Sequence, residues 1–523
     1  MREHVALTMG DLLEDNAKRF GDEPAYIMGD EKLTHQQLLS RAKQLAAALE
    51  EQGLQSQDRI GILAMNCLEY GEVLAAGQWS GLIVATVNFR LAAPEMAHII
   101  NDSSPRILFF EAQYEELIEQ LRPQLVSVES FVCIDSRSGG SNKTELIDVI
   151  DYQEFLHSGS PQGSSYRSRE EDIACLIYTS GTTGKPKGCI LGQREMREGA
   201  RTMSVETRSG PDDRILLVMP LFHIGAMAMG QGIHFRGGGV VLHREFNPLT
   251  LLQAVQNDGV SILHLAPTLV QMVLEQDEVA NTDFSQLHTV VYSAAAMPLP
   301  VLKRGMQLLG NIFLNLYGQT EVFSSGLLRE QHHPNGTERQ KRWLTSVGQP
   351  FPNTLIRIVD DQGQDCSQGN AGEIVVKSAA MARGYWNNGA ATLETFRDGW
   401  CHSGDVGIFD EDGMLYLVDR KKDVIVSGGE NIYSREVEDA IMAHSSVLEC
   451  AVIGVPDDKW GEAVCAVVVL RDGESASKDD LIAHCRSLIA GYKKPRKIVF
   501  DVDIPKLPTG KLDKVTLRKS VNG

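Results

Sequence analysis

The chain has 523 residues, with a hydrophobic share of 43% and a charged share of 23%, an ordinary globular composition spread over more chain than one compact core serves. A formal net charge of −19 argues against a nucleic-acid or anionic-membrane binder, which needs a basic face, while leaving room for a local pocket that takes anionic small ligands. Nine cysteines lie scattered, without CxxC pairs or the Cys/His spacing of a zinc site, so reduced and buried thiols are expected.

From the N-terminus, MREHVALTMGDLLEDNAKRF lacks the apolar stretch of a signal peptide. No run of about 18 apolar residues follows, so no integral membrane segment and a cytoplasmic location are expected. Thr34 with Gln37 reads as a capping box in front of a helix. Arg59–Ala64 (RIGILA) reads as a buried strand, about Leu68 to Trp79 as a helix, and Leu82–Val87 as the next strand. The polar stretch 136–170 predicts a surface connection. Strand–helix alternation resumes at Ile173. From 355 to 420, short strands (LIRIVDDQGQ, GEIVVKS, GIFDEDGMLYLV) are punctuated by Gly, Asp and Asn turns and predict β-hairpins. Helices at Arg435–His444 and Lys478–Ile489, with strands at Cys450–Val455 and Ala463–Leu470, predict a small α+β unit. The expected fold class is therefore α/β. A large N-terminal domain of α/β sheets (1–420, with a β-rich subdomain over about 345–420) precedes a small mobile α+β C-terminal domain (421–523).

The sharpest chemical signal is YTSGTTGKPKG at 178–188. It places three glycines, four Ser/Thr hydroxyls and two lysines in eleven residues, just after a strand. Thr179, Ser180, Gly181, Thr182, Thr183, Gly184, Lys185 and Lys187 can wrap polyphosphate with backbone N–H groups, hydroxyls and ammonium groups. The glycine spacing is not that of a P-loop, and Pro186 stands where that motif needs Ser or Thr. A plain surface turn does not need this density of donors.

Seven further segments follow: PLFHIGAM (220–227), SAAAMP (293–298), NLYGQTE (315–321), SGD (403–405), LVDRKKD (417–423), SGGENIY (427–433) and PKLPTGK (505–511). With the 178–188 loop they resemble, in order and spacing from about residue 10 to 515, the adenylate-forming superfamily of acyl-CoA synthetases, luciferases and peptide-synthetase adenylation domains. The resemblance implies that Ser293, Ala294 and Ala295 let backbone approach the adenine, with Tyr317 stacking on it, within a nucleotide-binding segment that includes Asn315, Gly318 and Gln319. It implies that Thr320 donates to a phosphate and that Glu321 holds Mg²⁺, as a hard cation bound by one carboxylate and phosphate oxygens. Asp405 would accept from both ribose hydroxyls, a task that suits a group with only acceptors, and Arg420 would also reach the ribose. Lys422 would be the pivot between domains. Ser427, Gly428, Gly429 and Glu430 would face the pantetheine arm of coenzyme A.

Lys511 is the expected catalytic lysine. Residues 491–520 hold nine Lys/Arg against three Asp, a basic segment suited to closing over ATP and coenzyme A. His223 would stand near the carboxylate or gate the thioester tunnel. Gly225, Ala226, Met227, Met229 and Gly230 would line an apolar pocket or simply pack the core. Three departures from the family pattern stand out: Gly192-Gln193 replaces a frequent Thr-His, Ala296 stands where Pro is common, and Ser434 follows Tyr433 where Pro is usual. The expected activity is ATP-dependent ligation of a small carboxylic acid, aryl or short- to medium-chain, to coenzyme A through an acyl-adenylate. The alternative is transfer to a carrier protein or another acceptor. A homodimer is the oligomeric state the resemblance implies.

Overall fold

The computed structural model describes residues 8–134, 148–179, 185–428, 430–457, 459–506 and 512–522. The chain forms two compact units. One runs to Ile356 and adds Val376–Cys401; the other takes Arg357–Val375 and everything from His402. The three points of division fall inside the strands Thr354–Val359, Gly372–Ser378 and Trp400–Phe409.

The first unit holds two large sheets. The seven-stranded sheet runs Val149–Asp151, Ser130–Ile134, Ile107–Glu111, Arg59–Leu63, Ile83–Thr86, Ile173–Thr179, Lys187–Gly192. All its pairings are parallel except the last, a hairpin in which Thr179 faces Lys187. The nine-stranded sheet runs Gln349–Pro350, Val322–Leu327, Phe313–Gln319, Thr289–Ser293, Ile262–Leu265, Arg214–Leu217, Gly239–Leu242, Pro24–Met28, Glu31–Thr34. Side chains alternate along a strand, and both faces are covered. Ile107 and Phe109 enter one core while Leu108 and Phe110 enter another; Ile215 and Leu217 likewise part from Leu216. Unbroken apolar runs such as ILFF are thus what a parallel sheet covered on both faces requires. A single core cluster contains Ile60, Ile62 and Phe109 of one sheet, Ile215, Leu217 and Val240 of the other, and the helix residues Leu38, Ala76 and Ala228. A layer of helices therefore fills the space between the sheets.

The expected capping box forms. Thr34 starts the helix His35–Glu51 and exchanges side-chain and backbone bonds with Gln37. The helix Leu68–Ser80 ends on Gly81 in the left-handed region (φ 84°). The stretch 136–170 is more than a surface connection, and that expectation is corrected. Within its described part Val149–Asp151 joins the sheet, and the helix Tyr152–Ser158 buries Tyr152, Phe155 and Leu156. The polar composition hid an amphipathic turn whose apolar residues sit three and four apart.

In the second unit, strands run Glu430–Ile432, Ile425–Ser427, Gly461–Leu470, Val447–Asp457, with Lys497–Phe500 parallel to Gly461–Leu470. Val452, Val464 and Ala466 face Val437, Ile441 and Leu481 of the helices Ser434–Met442 and Lys478–Leu488. Ala451, Ile453 and Cys465 face a second cluster that includes Leu517. The α/β class, with a smaller α+β portion toward the C-terminus, is as expected. Among the described residues, no helix is long and apolar enough to cross a membrane. All nine cysteines are free and eight are buried, as their scattered spacing implied.

Candidate active site

In the first unit the sequence-selected residues gather at the carboxyl ends of parallel strands, the edge at which open α/β sheets bind ligands. Thr179 closes Ile173–Thr179, Ser293 closes Thr289–Ser293, and Thr320–Glu321 form the turn after Phe313–Gln319. His223 is the residue before the helix Ile224–His234, reached from the end of Arg214–Leu217.

The phosphate-loop segment connects the two strands of the hairpin. Thr179 Oγ1 donates to the Lys187 carbonyl at 3.5 Å, and Lys185 is exposed. Ser180, Gly181, Thr182, Thr183 and Gly184 lie outside the described residues, as do Gly429 and Lys511.

The hairpin meets the Thr320–Glu321 turn through a segment that the sequence reading did not select, Ala382–Trp386. Its backbone pairs with the outer hairpin strand: Ile190 N–H donates to Gly384 O at 2.9 Å, Arg383 N–H to Ile190 O at 3.0 Å and Trp386 N–H to Gly188 O at 2.7 Å. Ala382 N–H donates to the Glu321 carbonyl at 2.8 Å. Tyr385, buried, then links the two motifs. Its hydroxyl donates to Glu321 Oε1 at 2.5 Å, and its ring carries the Lys187 ammonium 4.3 Å from the centroid. Burial, then the Glu321 charge, pushes the phenol well above its ordinary pKa, so it stays a donor. Cys189 Sγ donates to the Thr320 carbonyl at 3.6 Å. Burial and the Glu321 charge hold that thiol protonated as well. No periodicity marks MARGYW as part of a site; an aromatic after a glycine in a loop was its only signal.

Glu321 is 7% exposed. Its carboxylate, one oxygen of which is held by Tyr385, fits a divalent cation that takes its remaining ligands from phosphate and water.

Beyond Ser293 the chain turns through Ala294 at φ 71°, a left-handed conformation that costs an L-residue about 1 kcal/mol and concentrates at functional sites. Ser293 Oγ is 2.8 Å from Nε2 of His264, a second residue that sequence reading missed. Its signal was a histidine inside the apolar strand Ile262–Leu265. Tyr317 faces Ser325 across the hairpin. Asn315 is engaged structurally, its amide donating to Ser346 O at 3.3 Å. Ala294, Ala295 and Gly318 are exposed, and Tyr317, Gln319 and Thr320 half-buried.

The departures after the phosphate loop have physical reasons. A side chain at Gly192 would collide with the guanidinium of Arg383 and the carboxylate of Glu195, which pair at 2.8 Å. Gln193, fully buried, accepts from Met9 N–H at 3.0 Å and donates to Gln78 O at 3.1 Å. Nothing in the structure explains Ala296.

In the second unit, Asp405 and Arg420 face each other across paired strands. Arg420 Nε donates to Asp405 Oδ1 at 2.7 Å, and Asp405 is buried. Lys422 lies in the short 3₁₀ turn Lys421–Asp423, where partial desolvation, then the charges of Arg420 and Arg518, push its ammonium below the usual lysine range. Ser427 and Glu430 pair across the hairpin whose turn holds Gly428. Gly428 has φ 63°, and a Cβ there would strike the Trp460 ring at 2.7 Å. Ser434 uses what proline lacks. Its N–H donates to Asp419 Oδ2, its hydroxyl to Asp419 Oδ1 at 3.1 Å, and it accepts from the Lys514 ammonium at 2.7 Å.

Two family models match: that of the AMP-binding enzymes over residues 13–386, and that of the AMP-binding enzyme C-terminal domain over 436–511. The chain belongs to the AMP-binding enzyme family. The adenylate-forming resemblance carried by the motifs is thus borne out. The chain is 34% identical to a feruloyl-CoA synthase of an Amycolatopsis species over 493 residues, 94% of each chain. It is 31% identical to the fatty acid–[acyl-carrier-protein] ligase ScoC of Streptomyces coeruleorubidus over 501 residues, covering 95% of this chain and 93% of the relative. Its fold matches the amide bond synthetase McbA of Marinactinospora thermotolerans with a TM-score of 0.86 and 30% identity, over 98% of this chain and 100% of that one. Among AMP-binding enzymes, then, this chain resembles proteins whose names join an acid to coenzyme A, to a carrier protein or into an amide.

Proposed function

We propose that this AMP-binding enzyme joins a carboxylic acid to coenzyme A in two steps. A carboxylate is a poor electrophile because its charge is delocalised. In the first step its oxygen attacks the α-phosphorus of ATP, the Pα–O bond to the β-phosphate breaks, and pyrophosphate leaves acyl-AMP behind. In the second, the coenzyme A thiol, giving up its proton, attacks the acyl carbonyl; the C–S bond forms, the C–O bond to AMP breaks, and the thioester is released.

The observation that best supports this reading is the link from the 178–188 hairpin through Tyr385 to Thr320–Glu321. A loop rich in phosphate donors is thereby coupled to a hydroxyl and a carboxylate at one sheet edge. The hairpin residues bind the phosphates, Thr320 donates to a phosphate oxygen, and Glu321, held by Tyr385, is the residue for Mg²⁺. That ion, when bound, neutralises phosphate charge. Tyr317 and the 293–295 segment take the adenine. Asp405 and Arg420 serve the ribose, with Arg420 already oriented by the Asp405 carboxylate. His223 stands at the acyl end. Lys511 stabilises the charge that develops as the carboxylate attacks.

The two steps place different demands on the same carbonyl. The chain meets them by rotation about Lys422, which withdraws Lys511 and brings in the 427–430 loop. Lys422→Pro then preserves adenylation and blocks thioester formation. The acid is aryl or a short- to medium-chain fatty acid, the enzyme works in the cytoplasm, and it assembles as a homodimer.

The test is carboxylate-dependent ATP–pyrophosphate exchange over benzoate, cinnamate and fatty acids of rising length, followed by addition of coenzyme A. Exchange with one acid class and a thioester product support the reading; turnover of ATP to ADP without acid overturns it. The likeness to an acyl-carrier-protein ligase and to an amide bond synthetase favours a second reading, in which exchange occurs but the acyl group passes to a carrier-protein thiol or an amine. Product analysis with each acceptor separates the two.

A further inference from the structure

His264 is a buried histidine, 2% exposed, at the carboxyl end of the strand Ile262–Leu265. Strands with parallel neighbours usually fill such a position with an aliphatic side chain. Here Nε2 is 2.8 Å from the Ser293 hydroxyl, while Nδ1 has no hydrogen-bond partner among the described residues. Burial pushes the imidazole down to about 4, so it is neutral at physiological pH. One ring nitrogen is therefore a bare acceptor or an unpaired N–H, according to the tautomer that Ser293 selects.

The surroundings show where this ring faces. A Cβ built on Gly225, in the helix that His223 precedes, would meet a single atom within 4 Å outside its own helix neighbourhood: Cε1 of His264, at 3.5 Å. Cε1 lies between the two ring nitrogens, so the ring edge facing Gly225 runs from the Ser293-bound Nε2 to the unpartnered Nδ1. Gly225 and Ser293 are both half-buried, and Ser293 leads into the left-handed Ala294. The histidine thus forms a wall between the small residues of the acyl-side helix and the end of the Thr289–Ser293 strand, with an unsatisfied polar atom beside the space left by the missing side chain. A buried polar atom without a partner is costly and persists where function needs it.

We propose that His264 is a specificity-determining residue, and that its unpaired ring nitrogen hydrogen-bonds a hydroxyl carried by the acid. A hydroxyl answers either tautomer, because the same oxygen both donates and accepts. The enzyme's acid is then a hydroxylated one, aryl or aliphatic, in preference to its deoxy analogue. The proposal rests on the adenylation reading above. A site built to hydrogen-bond a substrate group discriminates strongly against the analogue that lacks it.

The experiment measures kcat/KM for pyrophosphate exchange with two matched pairs: cinnamate with 4-hydroxycinnamate, and decanoate with 10-hydroxydecanoate. Wild type is expected to favour the hydroxylated member of one pair by about tenfold or more. His264→Leu is expected to bring that ratio close to one by lowering exchange with the hydroxylated acid more than with its deoxy analogue. His264→Asn, which keeps a hydrogen-bonding group, is expected to restore part of it. A merely structural role lowers both members of a pair together and leaves the ratio unmoved; that result overturns the proposal. So does a wild-type ratio near one in both pairs, or a ratio that survives in a folded His264→Leu protein. Exchange absent with these four acids, with benzoate and with the shorter fatty acids overturns the adenylation reading and takes this proposal with it, so the two failures are told apart.

Discussion

The Tyr385 hydroxyl lies 2.5 Å from the Glu321 carboxylate, across 64 residues of chain. A buried carboxylate needs hydrogen-bond donors, and Tyr385 supplies one from a segment that also pairs with the phosphate-loop hairpin. Tyr385→Phe keeps the ring under Lys187 and removes that donor, along with the acceptor the hydroxyl offers Thr395. Hydrogen bonds to charged groups contribute about 1.5–3 kcal/mol. The variant is therefore expected to fold, to lose about tenfold or more in pyrophosphate exchange, and to need more Mg²⁺ for half-maximal rate. An unchanged magnesium titration would show that Glu321 is positioned without Tyr385.

Most of the frame was legible in the sequence because its signals are local. Apolar runs, capping pairs and Gly/Asp turns mark strands and helices wherever the chain goes next, and Thr320, Glu321 and the 178–188 loop sit in compact motifs. What escaped was what three dimensions bring together. Tyr385 lies in an irregular segment with no periodicity, and its role exists only because that segment pairs with a hairpin some 195 positions upstream. His264 sits inside an apolar strand, and only the Ser293 contact and the unfilled nitrogen set it apart. The helix Tyr152–Ser158 was hidden by the polar residues that surround it. Gly192 read as a departure, yet it is the residue that leaves room for the Arg383–Glu195 pair.

On the proposed mechanism, Lys511 separates the half-reactions. Its ammonium is assigned to charge that develops only while the carboxylate attacks phosphorus, so its removal touches one step. Losing one preorganised charge-stabilising group typically lowers kcat about 10²–10³-fold. Lys511→Ala is expected to show a loss of that size in exchange, and little change in thioester formation from supplied acyl-AMP and coenzyme A. Equal losses in both assays would remove Lys511 from the adenylation step.

Ser434 tests local preference against a tertiary bond. It occupies the first position of the helix Ser434–Met442, where proline is favoured because the N–H there has no helical partner. In this chain that N–H does have a partner, the Asp419 carboxylate, and the hydroxyl joins Asp419 to Lys514. Ser434→Pro strips a half-buried acid of two donors and is expected to lower stability by about 1–3 kcal/mol. Ser434→Ala, which keeps the N–H, should lose less. Urea denaturation of both variants checks this; a proline variant as stable as the parent would mean that helix-start preference outweighs the Asp419 bonds.

Three buried histidines make the first unit sensitive to mild acid. Burial pushes His264 and His332 down to about 4 and His234 to about 3, the last helped by neighbouring His35. His332 shows why a proton is unwelcome. Its Nδ1–H donates to the Leu328 carbonyl at 2.8 Å, and Nε2 accepts from the Tyr292 hydroxyl at 3.1 Å, so a second ring proton meets a donor. With the folded values below the unfolded value of about 6.5, the unfolded chain binds more protons between pH 6.5 and 4. Stability is then fully present above that window and falls as pH drops through it. From pH 7.5 to 5.5 each histidine is expected to remove about 1.4 kcal/mol. Carboxyls raised by burial, such as Glu206, act in the opposite sense, mainly at more acid pH. Urea midpoints measured at both pH values should fall accordingly, and His332→Gln should recover about one histidine's share of the loss. A midpoint flat across this range would mean that the three rings gain protons in the folded protein as readily as in the unfolded chain.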